Sequence, residues 1–179
     1  LKSAKFRRDR MSKLGKYIQY FVEGEDEEKV LSVLKTDMQL IVPGKVNKLN
    51  VVQDKISKAR LMNLRPETSV VLVFDTDTYS VKVLEENIEI LKKTSAVQSI
   101  ICVTQVMNLE DELIRSCDIK NIRELTGSKN DSEYKHDLLK ASNLAALLKK
   151  HGFDIKKFWI KEATGIFVEF KNESNLVKK

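Results

Sequence analysis

A chain of 179 residues can bury one good core, with room left for a small appendage. At 42% hydrophobic and 32% charged residues it reads as globular rather than disordered, and no apolar run approaches membrane-spanning length. Its 32 basic and 26 acidic residues leave a net charge of +6, which favours an anionic partner.

Residues 1–15 open the chain with Lys2, Lys5, Arg7, Arg8, Arg10 and Lys13 against Asp9. They read as a basic arm for phosphates, or as a frayed terminus or expression-vector remnant, since Leu1 is not Met and Met11 could be a natural start. The same residues lack the apolar segment of a signal peptide. Tyr17 to Val22 is β-branched and aromatic and reads as a buried strand. It ends on Glu23-Gly24-Glu25-Asp26-Glu27-Glu28, where Gly24 would allow a tight strand-to-helix turn. Asp26 to Lys35 then places Val30, Leu31, Val33 and Leu34 on a helical face. Two short apolar segments, 39–42 and 46–52, flank the turn signal Pro43-Gly44. Gln53 to Leu64 reads as a helix, and Arg65-Pro66-Glu67-Thr68 breaks the chain after it.

Val70 to Phe74 is an unbroken apolar run with three Val, the habit of a strand buried on both faces of a parallel sheet. A helix over 81–93 and a strand over 97–103 follow, the latter with Cys102 in its apolar run. Cys102 and Cys117 show no metal-ligand spacing, and a reduced cytoplasmic setting is the simplest expectation. Asn108-Leu109-Glu110-Asp111-Glu112 opens another helix near the same sheet edge. The alternation implies an α/β domain over 16–118, a parallel sheet with helices on both faces.

Residues 119–179 read as a mainly helical C-terminal extension packed on that domain. The polar loop Thr126-Gly127-Ser128-Lys129-Asn130 is capped into a helix by Asp131 or Ser132. Ser128 and Lys129 could hold a phosphate, although such a loop is more often a turn. His136 and His151 stand apart and read as surface residues. Phe158-Trp159-Ile160 and Ile166-Phe167-Val168 would form a short hairpin, with packing the expected role of Trp159, and the tail from Lys171 reads as mobile.

The chemistry concentrates at two strand ends. Residues i and i+2 of an extended end share a side, so Asp75 and Asp77 can aim two carboxylates at one point past the strand. In open α/β sheets ligands bind there, and hard oxygen ligands suit Mg²⁺ or Mn²⁺. Glu23 stands at the other strand's end, with Glu27 about one helical turn on. Glu110 is a candidate further ligand or base, although acids favour the first turn of any helix. That preference also accounts for Glu25, Asp26 and Glu28.

A strand ending in Glu23-Gly24, an acid at Glu27, and a later strand ending in Asp75-Thr76-Asp77 resemble, in that order, the Toprim domain. The resemblance covers roughly residues 16 to 115 and is strongest to small stand-alone Toprim proteins and the overcoming-lysogenization-defect-type nucleases. It implies a divalent-metal-dependent nuclease cleaving DNA or RNA, often with a partner ATPase and in defence against phage. Glu23, Asp75 and Asp77 would hold Mg²⁺ or Mn²⁺, and Glu27 and Glu110 would serve a second ion about 4 Å away. Lys129 would offset charge developing on the phosphorane. Tyr79 is near the acids but not clearly placed for a topoisomerase-type covalent step, and zinc-binding and polymerase segments of a primase are missing. The alternative is a non-catalytic nucleic-acid-binding or regulatory module that keeps a metal site.

Overall fold

A computed structural model describes residues 14–179, so the expected basic arm lies outside the described residues except for Leu14 and Gly15. Four parallel strands build one open sheet: β1 (Tyr17–Val22), β2 (Lys45–Lys48), β3 (Thr68–Asp75) and β4 (Val97–Gln105). Their spatial order is β2-β1-β3-β4. The α-helices are α1 (Glu25–Thr36), α2 (Lys58–Met62), α3 (Lys82–Lys92), α4 (Leu109–Ser116), α5 (Arg123–Thr126), α6 (Asp131–Lys140) and α7 (Leu144–Lys150). The expected α/β class is the one that forms.

All eight residues of β3 are buried, because both faces of the sheet are covered. Val71 and Val73 join Tyr20, Val22, Ile101 and Val103 on one face, against α1, α4 and the helices of the extension. Val70, Leu72 and Phe74 point the other way, with Phe21, towards Leu84 and Leu91 of α3. The extension adds Leu138, Leu148, Phe158 and Trp159 to the first of these clusters, so it shares the core of the α/β domain.

The strand order has a functional consequence. From β1 the chain crosses to β2 on one side, then returns past β1 to place β3 on the other. The crevice between the carboxyl ends of β1 and β3 is therefore the switch point of the sheet, where open α/β folds take ligands. Glu23 and Asp75 stand at those two ends.

Several local expectations fail, each for a physical reason. The helix expected over 53–64 shrinks to α2. Buried Asn87 holds the preceding loop irregular: its Oδ1 accepts from Ile56 N–H (2.8 Å), and its Nδ2 donates to the carbonyls of Val51 (2.8 Å) and Asp54 (2.9 Å). Asn130, not Asp131 or Ser132, caps α6, accepting from Glu133 N–H at 3.0 Å.

The C-terminal hairpin does not form. Phe158 and Trp159 pack on one face of the sheet while Ala163 and Phe167 pack on the other, so the two apolar stretches cannot pair with each other. Trp159 also has a left-handed φ of 55°, which ends any extended run. Nor is the tail from Lys171 a loose end. Glu173 N–H donates to Cys102 O (2.8 Å) at the outer edge of β4, which covers part of that edge. Further on, Val42 N–H donates to Val177 O (2.8 Å) and Lys179 N–H to Leu40 O (2.9 Å). Among the described residues no helix is long and apolar enough to cross a membrane.

Val177 is fully buried by these contacts. Val177→Ala should cost about 2 kcal/mol, which lowers Tm by roughly 4 to 8 °C for a domain of this size. An unchanged Tm in a calorimetric scan would contradict a tail that is part of the core.

Candidate functional site

Glu23 follows β1 directly, and α1 begins two residues later with Gly24 as its cap residue. Asp75 closes β3 on the side of Val71 and Val73, the face covered by α1 and α4. α4 starts beside it, capped by Asn108 Oδ1, which accepts from Asp111 N–H at 3.0 Å. These ends, with α6 opposite, line an open cleft of about 700 Å³. Its acidic lining is Glu23, Asp26, Glu27, Asp75, Asp77, Glu110 and Asp131, and Lys135 is its basic lining among the described residues. Five of the sequence-derived candidates, Glu23, Glu27, Asp75, Asp77 and Glu110, are thus brought together.

Neutral amides orient two of these carboxylates. Asn50 Nδ2 donates to Glu23 Oε1 at 2.7 Å. Gln105 Nε2 donates to Asp75 Oδ1 at 2.7 Å and accepts the indole N–H of Trp159 on Oε1 at 3.2 Å. Glu27 Oε2 accepts from Gly24 N–H at 2.8 Å and so helps to cap its own helix. Lys135 Nζ lies 3.2 Å from Asp26 Oδ2 and 3.4 Å from Glu110 Oε1.

Burial and mutual repulsion shift the acids. Burial pushes Asp75 up to about 8; the Gln105 hydrogen bond opposes this, and the charges of Glu23, Asp77 and Glu110 add to it. Glu23 is raised chiefly by burial, with a hydrogen bond from the Asp75 backbone pulling the other way. Glu27 is raised by burial and by its contact with Asp26. For Asp26 burial acts upward too, but the hydrogen bond with Glu27 and the charge of Lys135 outweigh it and leave the carboxyl low. Burial works against the charge of Lys135, yet Asp26 and Glu110 hold its proton more tightly than in an ordinary lysine.

Gly24 serves the site by its lack of a side chain. Its φ of −136° and ψ of −173° are extended backbone open to any residue, so no tight glycine turn is made. A Cβ here would instead meet Asp26 Oδ1 at 2.7 Å and Glu27 Oε2 at 2.9 Å. The missing methyl leaves both carboxylates room to lie against the chain.

Lys129 is exposed and does not line the cleft. Ser128 is engaged within its own loop and helix, 2.6 Å from both Thr126 Oγ1 and Asp137 Oδ2, so the phosphate role considered for this loop has no support in the geometry. Tyr79 is fully exposed and outside the cleft lining. Asp26, accounted for in the sequence as a first-turn acid, is 8% exposed and faces the cleft, whereas Glu25 pairs outward with Lys48 at 3.0 Å. Sequence reasoning also missed Lys135, Tyr134, Asn50 and Gln105. A Lys and a Tyr in the second turn of a helix carry no signal by themselves, and neither do amides at a strand end and in a loop.

Comparison of the chain with protein-family models, with curated proteins and with solved structures returns no match. The test of a metal therefore rests on the residues themselves. Among the described residues no group of three or more His, Cys, Asp or Glu side chains is placed to hold a metal ion. The donor set still fits a hard divalent cation: it is all oxygen, it projects from strand and helix ends, and its negative charge exceeds what Lys135 offsets. Tyr134 lines the same cleft with its hydroxyl buried and without a hydrogen-bond partner among the described residues.

The raised Asp75 carboxyl sets the sign of a pH effect. Between its ordinary 3.8 and about 8 the folded chain binds the extra proton, so this contribution to stability is full at low pH and is lost as pH rises through 8. With chelator present, Tm should fall from about pH 5 to about pH 9. Asp75→Asn should lessen the fall, the raised Glu27 carboxyl supplying the rest, and Mg²⁺ should restore Tm most at the alkaline end. A wild-type slope in the Asp75→Asn variant would contradict this.

Proposed function

We propose that the chain is a divalent-metal-dependent nuclease that hydrolyses phosphodiester bonds of DNA or RNA. The observation that carries this reading is the convergence of Glu23, Asp75 and Asp77, from the ends of two neighbouring parallel strands, on one cleft at the switch point of the sheet. Glu23, Asp75 and Asp77 would hold Mg²⁺ or Mn²⁺, and Glu27 and Glu110 a second ion. The bound metal supplies positive charge that favours attack by water and eases departure of the leaving oxygen.

The chain's own groups do the rest. Asn50 and Gln105 fix the carboxylates of Glu23 and Asp75, as outer partners of metal ligands do. Lys135 replaces Lys129 as the cation suited to charge building on phosphorus, since it is held in the cleft by Asp26 and Glu110. The Tyr134 phenol, kept protonated by burial and by the Glu110 and Asp26 charges, is an O–H donor left without a partner beside the cleft among the described residues. In the reaction a P–O bond forms to water, the P–O bond to the leaving oxygen breaks, and a phosphate monoester and a hydroxyl result. The free thiols of Cys102 and Cys117 suit a reducing cytoplasm.

A second reading, a non-catalytic binding or regulatory module, is favoured by one observation. Lys135 already bridges Asp26 and Glu110, an arrangement that stabilises the empty cleft without any reaction.

Labelled DNA and RNA incubated with Mg²⁺ or Mn²⁺ separate the two. The nuclease reading predicts cleavage by the wild type, its loss in Asp75→Ala and Asp77→Ala, and a fall of about 10²–10³-fold in Lys135→Met. Metal binding without cleavage of any substrate would leave the regulatory module.

A further inference from the structure

The two ends of the sheet carry opposite charge. The acidic cleft lies at the carboxyl ends of the strands, and a second cleft of about 590 Å³ lies at the amino ends of β1 and β3. Lys16, Lys45 and Arg65 line it around the half-buried Tyr17, and among the described residues no carboxylate does. None of these three cations takes part in a salt bridge among the described residues. Lys16 Nζ sits 5.6 Å and the Arg65 guanidinium 5.0 Å from the centre of the Tyr17 ring. One ring can attract two cations, but it cannot cancel their repulsion of each other.

The walls of this cleft are fixed by hydrogen bonds and by close backbone packing. Gly15 N–H donates to Ser69 Oγ (2.7 Å) and Tyr17 N–H to Glu67 O (3.3 Å), so Lys16 emerges from a segment tied on one side to β3 and on the other to the residue just before that strand. On the opposite wall Gly44 lies so near β1 that an added Cβ would stand 2.6 Å from Ile18 O. Lys35 Nζ donates to Gly44 O at 3.0 Å and fixes the same turn, which seats Lys45 at the cleft.

We propose that this basic cleft is a phosphate-binding site, distinct from the acidic cleft. A phosphate group matches it in charge, in its number of acceptor oxygens, and in the planar fork that Arg65 offers it. The site does not rest on the metal-dependent reading. It shares no lining residue with the acidic cleft and lies about 20 Å away, the length of a six-residue strand. The phosphate could belong to a nucleic-acid strand or to a small phosphorylated molecule, and the binding experiment separates the two.

The experiment is fluorescence anisotropy of a labelled single-stranded oligonucleotide in EDTA. The full chain carries Asp75→Asn and Asp77→Asn, so neither cleavage nor metal at the acidic cleft contributes. Into this background go Lys16→Ala, Lys45→Ala and Arg65→Ala together. A control removes equal charge elsewhere with Lys140→Ala, Lys149→Ala and Lys150→Ala, all exposed on or near the ends of α6 and α7. The cleft triple should weaken binding about 10-fold or more and reduce the salt slope by about 2, while the control changes affinity less than about 2-fold. Lys45→Ala alone, a single exposed change, should lower the slope by about 1, and it keeps the test open should the triple unfold. Affinity that grows with oligonucleotide length assigns the site to a strand. Equal affinity for a mononucleotide, with displacement by inorganic phosphate, assigns it to a small ligand, and either result upholds phosphate binding. Equal weakening in both triples would show a net-charge effect, and no weakening in either would show no site; each overturns the proposal.

Discussion

Burial of carboxylates at the ends of two strands, sharpened by their mutual repulsion, is the constraint on which this structure turns. An acid at the end of a solvated strand costs little. Asp75 at 8% exposure and Glu27 at 4% do not have that freedom, and both are pushed towards their neutral forms. The chain leaves the cluster short of positive charge: among the described residues Lys135 is the cation that lines the cleft, and Arg123 pairs with Asp131 at 3.3 Å from outside that lining. Such a cluster disfavours the charged forms of its buried carboxylates, which is what the proposed divalent cation would relieve.

The surroundings support the cluster instead of relieving it. The supports include neutral amides, Asn50 on Glu23 and Gln105 on Asp75, which orient a carboxylate without neutralising it. Behind Gln105 stands Trp159, whose backbone N–H donates to the buried Glu112 carboxylate at 2.9 Å. Glu112 also takes Val106 N–H (3.0 Å) and Arg115 (2.6 Å). A residue from the C-terminal extension thereby reaches Asp75 through one intermediary, and Trp159 adopts a left-handed backbone conformation to do so. The extension is part of the site's scaffold as well as part of the core.

Much of this was legible in the sequence, for a simple reason. A strand buried on both faces is an unbroken apolar run, and an acid at its end stands out against it. Val70 to Phe74 followed by Asp75 and Asp77, and Tyr17 to Val22 followed by Glu23, gave both the sheet and the acidic half of the cleft. Helices betray little of which side chain will face a site. Lys135 is one of 32 basic residues, and its role comes from how α6 packs against α1, a long-range event. Asn87 turned an expected helix into an irregular loop through three hydrogen bonds that no local pattern announces. The apolar stretches near Trp159 and Phe167 looked like partners because both were apolar, yet they serve opposite faces of one sheet.

The central claim is that Glu23 and Asp75, far apart in sequence, act on one cation. Isothermal titration of the chelator-treated protein with Mn²⁺ tests it most directly, on the wild type and on Glu23→Gln and Asp75→Asn separately. The account predicts saturable binding in the wild type and at least about 10-fold weaker binding in each variant. Wild-type affinity in both variants, or no saturable binding at all, would contradict it.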